Sequence, residues 1–271
     1  MADFFSQSYV DRAQRRLRFT PLWWRLKFAS VIKKYRLWSL HHGAHDVVPA
    51  VAPCFITDSL DRQMEHFRAH QWAFAENIFS KEFHQELVAN WPKRYFLEPP
   101  REAAKSYNTG WRWIYGKPLN FDYFDPYHQY PIFVSLLNYL RAPEFVQRVQ
   151  TVISCPDKLV CYSFILSDSY PGSEVYPHID GIIKDPQAKL FINMVFFIEG
   201  TGGPNSGALM LSKDNEQKEI IFEPPTIVNS SLVYDSLTDF YHGFPPIAPG
   251  KFRRAVTVQF CEKGYIEKKN R

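Results

Sequence analysis

The sequence predicts an α+β protein in which helices come first and a jelly roll or barrel of short strands comes last. Three observations predict it. Helical apolar spacing is concentrated before residue 153. From Lys158 onward, about seven short runs rich in β-branched and aromatic residues follow one another, separated by Gly, Pro, Asn and Asp. The chain has 271 residues and is 45% hydrophobic, which suits one sizeable core rather than several.

The first element is a basic arm. Residues 1–36 carry nine Lys or Arg against Asp3 and Asp11, a net +7 that leaves −3 for the rest of the +4 chain. Within residues 8–40, Trp24, Phe28, Val31, Tyr35 and Trp38 fall on one face if the segment is helical, with Arg25, Lys27, Lys33, Lys34 and Arg36 beside and behind them. Such a face suits the headgroup region of an anionic membrane; it equally suits packing on the arm's own domain or on a partner. Contact with nucleic acid ranks third, because no base-reading motif accompanies the charge.

Helical spacing returns at 61–75, at 80–90 with Ser80 as the N-cap, and at 131–153, while the Pro-, Tyr- and Trp-rich stretch 92–130 reads as irregular. The strand runs are LVCYSFIL, EVYPHID, KLFINMVFFIE, GALMLS, EIIFEP, SLVYDS and RRAVTVQFC. The glycine-rich GTGGPNSG at 200–207 lies between two of them rather than opening a helix, so it is a turn and not a phosphate cradle.

Several function classes are excluded or disfavoured. Cys54, Cys155, Cys161 and Cys261 are far apart with no C-x-x-C pair, against a zinc ribbon or a disulfide framework and in keeping with a reducing, cytoplasmic setting. MADFFSQSYV lacks the basic start of a secretory signal, and no run of about 18 uncharged apolar residues suggests a membrane-spanning helix.

The chemistry centres on VYPHIDG, 175–181. Strand alternation would put Tyr176, His178 and Asp180 on one face, so that an imidazole and a carboxylate reach one metal ion. His84-x-Glu86 has the same spacing but falls in a helix, where i and i+2 diverge. His242 follows about sixty residues later, ahead of a Pro/Gly turn and the last strand. Two histidines and one carboxylate make the facial triad of non-haem iron(II), which leaves three positions open for a chelating co-substrate and O2. Arg253 opens the last strand; facing inward, its planar fork suits a bidentate grip on a co-substrate carboxylate. Ala255 and Thr257 share its face, and Arg254 should point the other way. His41, His42 and His45 border a glycine and read as a solvated loop rather than a second metal site. Against the triad stands a metal-free jelly roll, a binding or scaffold module in which these residues are satisfied core groups.

Residues 158–262 resemble the iron(II)/2-oxoglutarate-dependent dioxygenase superfamily, in particular its prolyl-hydroxylase-like branch. The resemblance is carried by SYPG-SEVYPHID, by FFIEG followed by GALML, and by VYDS, YHGF and RRAVTVQF in that order; ENIFSKEFHQELVANWP at 76–92 is similar to the helical lead-in of such cores. It implies a double-stranded β-helix, cupin-like, as a domain over 76–271 behind a basic, aromatic extension over 1–75. It implies iron(II) on His178, Asp180 and His242, 2-oxoglutarate on Arg253 with Thr257 assisting, and further co-substrate contacts from Tyr170, Tyr176 and Asn193. O2 is then the oxidant, ascorbate an auxiliary reductant, and the outcome hydroxylation; related halogenases give up the carboxylate that Asp180 retains. The basic arm and this chemistry together suggest a substrate: a lipid-linked sugar at the inner face of a membrane, as for enzymes that hydroxylate the Kdo of lipopolysaccharide. A protein side chain or a free small molecule is the alternative substrate.

Overall fold

The computed structural model describes residues 56–92, 107–108, 111–115, 130–155, 159–180 and 190–262, all within one compact unit spanning Pro49–Arg271. The arm helix, His41, His42, His45, Cys54 and most of the 92–130 stretch lie outside the described residues.

A turn of 3-10 helix, Asp61–Gln63, leads into α1, Met64–His70. The helix stops at Gln71, which adopts left-handed backbone at φ 62°, and β1, Trp72–Glu76, begins at once. The single helix expected over 61–75 is therefore a helix followed by a strand. Trp-Ala-Phe-Ala also has a period of two, and pairing decides between the two readings: β1 runs antiparallel to β9 (Ser230–Asp235), with Ala73 and Ala75 buried toward the helices and Trp72 and Phe74 packed on the opposite side. α2, Lys81–Ala89, starts where Ser80 predicts it, with the Ser80 hydroxyl accepting from the Phe83 amide at 3.3 Å.

Two short strands follow, β2 (Tyr107–Asn108) and β3 (Trp111–Tyr115). The helical stretch expected over 131–153 is two helices, α3 (Pro131–Arg141) and α4 (Pro143–Ile153). Pro143 cannot donate to the preceding turn and drives Ala142 to extended backbone (ψ 139°), so the chain breaks there. Arg148 on α4 ties the start of the body down: it donates to both Asp61 carboxylate oxygens at 2.8 Å and to the carbonyls of Ile56 and Thr57.

The remaining strands are β4 (Leu159–Ser169), β5 (Glu174–His178), β6 (Phe191–Gly200), β7 (Met210–Ser212), β8 (Ile220–Phe222), β9 (Ser230–Asp235), β10 (Tyr241–Phe244) and β11 (Arg253–Glu262). β1 falls in a segment expected to be helical and β2 and β3 in a stretch expected to be irregular; among the eight later strands only β10 matches none of the expected runs. It is four residues long with a glycine, and it exists because it pairs with β5 on one side and β7 on the other.

The strands form two antiparallel sheets. The larger runs β1-β9-β6-β11-β4-β3 and the smaller β2-β5-β10-β7-β8. From β4 on, the chain passes back and forth between them, and β7 and β8 are the sole consecutive pair in one sheet. Two apolar clusters result. One lies between the larger sheet and the helices and holds Phe83, Leu87, Phe133, Leu136 and Phe145 with Phe196 and Phe260. The other joins the sheets and holds Val195, Phe197, Leu211, Leu232, Phe244 and Ala255. β6 borders both, which is why eight consecutive residues, Phe191 to Ile198, are buried. Long-range tethers close the first strand: Asn229 exchanges side-chain hydrogen bonds with the Phe79 backbone at 2.9 and 3.1 Å. The glycine-rich segment after β6 is a loop, held by Lys251 donating to the carbonyls of Gly202 and Pro204. Among the described residues no helix is long and apolar enough to cross a membrane.

Candidate active site

The smaller sheet brings the predicted triad together. His178 ends β5, His242 lies on β10, and the two are direct register partners, with ring centroids 4.3 Å apart. Asp180 follows β5 by two residues and turns one carboxylate oxygen, Oδ1, to both rings, 3.7 Å from His178 Nε2 and 3.6 Å from His242 Nε2. Ligand atoms of all three lie within 4.8 Å of one another, and among the described residues this is the one such group of three His, Cys, Asp or Glu.

The donor set fits a metal ion. With bonds of about 2.1 Å, neighbouring ligands around an ion stand roughly 3.0–3.4 Å apart, so the observed separations close with small side-chain rotations. Protonation states fit as well. The His178 Nδ1 faces the Tyr176 carbonyl at 2.8 Å and must be the donor there, so Nε2 is the ring nitrogen free to bind a metal. Burial pushes His242 down to about 4, against the pull of the Asp180 charge, so its imidazole is neutral and able to coordinate.

Glycine sets the local backbone. β5 and β10 do not stay in simple register: His242 is opposite His178, but Phe244 is opposite Val175, so β5 carries one extra residue around Tyr176 and Pro177. Gly243 lies against this bulge, and a Cβ on it would stand 2.5 Å from the Val175 carbonyl oxygen and 2.9 Å from Pro177 N. The bulge also corrects the expectation from simple alternation. Val175 and His178 both line the site, whereas the Tyr176 side chain is 53% exposed and does not.

The triad opens into a cavity of about 100 Å3 between the sheets, whose walls include Arg253, Thr257 and Asn193. β11 supplies Arg253, Thr257 and Gln259, four and then two residues apart on one face, while Arg254 turns away from the cavity to Glu199 at 2.7 Å. Arg253 is buried, its guanidinium 5.3 and 5.0 Å from the ring centres of Phe197 and Phe244. Gly207 makes room for its stem: a Cβ there would lie 3.2 Å from Arg253 Cδ and 2.7 Å from the Ile247 side chain. Tyr170 is half-buried in the turn after β4, where its amide donates to Ser173 Oγ at 3.1 Å, and it is not part of the cavity wall.

Some of the site was not anticipated. Asn193 donates to the other Asp180 oxygen, Oδ2, at 3.0 Å and also to Ser236 Oγ. Gln259 and the aromatic flanks of Arg253 also went unnamed. Gln259 was within reach, since it continues the two-residue step from Arg253 through Thr257. Phe197 and Phe244 come from other strands and Ser236 from the turn after β9, and no local pattern marks them.

No family model and no curated protein sequence matches this chain. Solved structures do. A prolyl-4-hydroxylase from Pseudomonas putida superposes with a TM-score of 0.52 at 15% identity, over 76% of this chain and 100% of that one. A prolyl hydroxylase from Trichoplax adhaerens, in complex with a hypoxia inducible factor oxygen degradation domain peptide fragment, gives 0.52 at 10% identity, over 77% and 91%. HygX from Streptomyces hygroscopicus, with nickel and 2-oxoglutarate bound, gives 0.53 at 10% identity, over 74% and 87%. The chain shares its fold with these proteins.

Proposed function

From that shared fold, we propose that the protein is a non-haem iron(II), 2-oxoglutarate-dependent oxygenase whose two sheets form a double-stranded β-helix. The observation that carries the proposal is the meeting of His178, Asp180 and His242 with Arg253 in one cavity. The order of the sheets agrees with it, with β4, β11, β6 and β9 adjacent in one and β5, β10, β7 and β8 in the other.

When bound, iron(II), 2-oxoglutarate and O2 supply the oxidation: the co-substrate leaves as succinate and CO2, and one oxygen atom enters a substrate C–H bond. The chain supplies the frame. His178, Asp180 and His242 would hold the metal, a ligand set small enough to leave room on it for a co-substrate. Arg253, with Thr257 beside it in the cavity wall, would receive the distal carboxylate of 2-oxoglutarate. Phe197 and Phe244 keep water from the guanidinium, which strengthens that charge-assisted contact.

The decisive experiment is succinate formation from 2-oxoglutarate by iron-loaded protein under air, with His178→Ala and Arg253→Ala alongside. Turnover in the wild type and its loss in both variants is the expected result; wild-type protein that binds no stoichiometric iron would leave the scaffold reading in its place. For the substrate, the +7 charge of residues 1–36 favours a lipid-linked sugar at an anionic surface. Co-sedimentation of the full chain with phosphatidylglycerol vesicles tests it, and failure to sediment at low salt turns the search toward soluble sugars and peptides.

A further inference from the structure

Asn193 was expected to contact the co-substrate, but its hydrogen bonds point elsewhere. A carboxylate only accepts, so the group facing Asp180 Oδ2 must be the amide nitrogen. That nitrogen has two hydrogens, and the second goes to Ser236 Oγ. Asn193 is 2% exposed on β6, and Ser236, 3% exposed, directly follows β9, the strand paired with β6. Ser236 is itself fixed, its amide donating to the Phe191 carbonyl at 2.8 Å. The remaining amide atom, Asn193 Oδ1, is buried without a hydrogen-bond partner among the described residues. An acceptor there cannot hold 2-oxoglutarate, which at neutral pH has no donor.

We propose that Asn193, anchored by Ser236, is a positioning residue for Asp180: it holds Oδ2 so that Oδ1 alone is presented to the metal, and it does not bind the co-substrate. Without this hold the carboxylate can rotate about its Cβ–Cγ bond and present either oxygen or both. Groups that orient a metal ligand from behind typically change metal affinity ten- to a hundredfold when removed. The inference rests on the metal-centre reading given above, and the experiment separates the two.

Co(II) serves as the probe, titrated into the metal-free full chain by calorimetry and by its visible absorption. Wild type, Asn193→Leu and Ser236→Ala are compared, with the thermal midpoint of each metal-free protein recorded. Asn193→Leu keeps the shape but removes both donors; it is expected to weaken Co(II) about ten- to a hundredfold and to alter the Co(II) spectrum. Once saturated with Co(II), it should bind 2-oxoglutarate as the wild type does. Ser236→Ala should shift Co(II) affinity in the same direction by less, and it carries the test if Asn193→Leu does not fold. Wild-type Co(II) affinity and spectrum in the variant that folds would overturn the proposal, as would a loss confined to 2-oxoglutarate binding. A wild type that binds no Co(II) would instead overturn the metal centre, and this role with it.

Discussion

The two faces of the larger sheet are built for different purposes, and β6 shows both. Ile192, Met194, Phe196 and Ile198 face the helices in an apolar layer. Asn193, Val195 and Phe197 face the smaller sheet, where apolar packing is interrupted by Asn193, Gln259, Thr257, Arg253 and His242. Alternation along a strand therefore separates apolar packing from the polar lining of the cavity at single-residue resolution. The helix face is filled with hydrocarbon. The inner face gives up part of that burial to keep polar groups dry, oriented and accessible through a small cavity.

The separation should break most visibly at Phe196, which is fully buried and 5.3 Å ring-to-ring from Phe79. Phe196→Ala is expected to cost about 3–5 kcal/mol of unfolding free energy, read by denaturant titration, while the folded fraction keeps wild-type metal affinity. A comparable loss of metal affinity in the folded fraction would show that the faces are coupled.

Two changes on the inner side follow in size. Burial lowers the His242 proton affinity in the fold, so the unfolded chain takes up a proton below about 6.5 that the folded chain refuses until about 4. Metal-free protein should thus lose stability as pH falls across that window, by at most about 3 kcal/mol, and His242→Gln should flatten the dependence. Next, Gly243→Ala forces a methyl against the β5 backbone. An overpacking cost of about 1–3 kcal/mol is expected, with metal affinity falling out of proportion because the bulge sets His178 opposite His242. Metal affinity that merely tracks stability would show that the bulge has no special hold on the ligands.

The smallest effect sharpens the contrast from the helical layer. Ser80→Ala removes the cap of α2 and should cost about 1 kcal/mol, with no change in 2-oxoglutarate turnover.

What could be read from the sequence divides by range. His178, Asp180, His242 and Arg253 were legible because their residue types and spacing are tied to particular chemistry, and Ser80 because capping is local. β10 was not, since four residues with a glycine have no period of their own. The 61–75 segment satisfied both helical and strand periods, and only a partner some 160 residues away decided between them. Pro143 did signal a break, but apolar spacing on both sides hid it. Tyr176 failed for another reason: strict alternation was assumed through a strand that bulges.

The tethers of the first strand also govern when the protein can fold. β1 at Trp72–Glu76 has its partner at Ser230–Tyr234, and Phe79 is bonded to Asn229. During synthesis β1 must therefore wait for β9 while about 150 residues are made, and the edge of β4 that β3 does not cover must wait for β11. Pairings so distant along the chain fold slowly, and a waiting edge is a template for aggregation. Slow folding is the expected consequence of that sheet order.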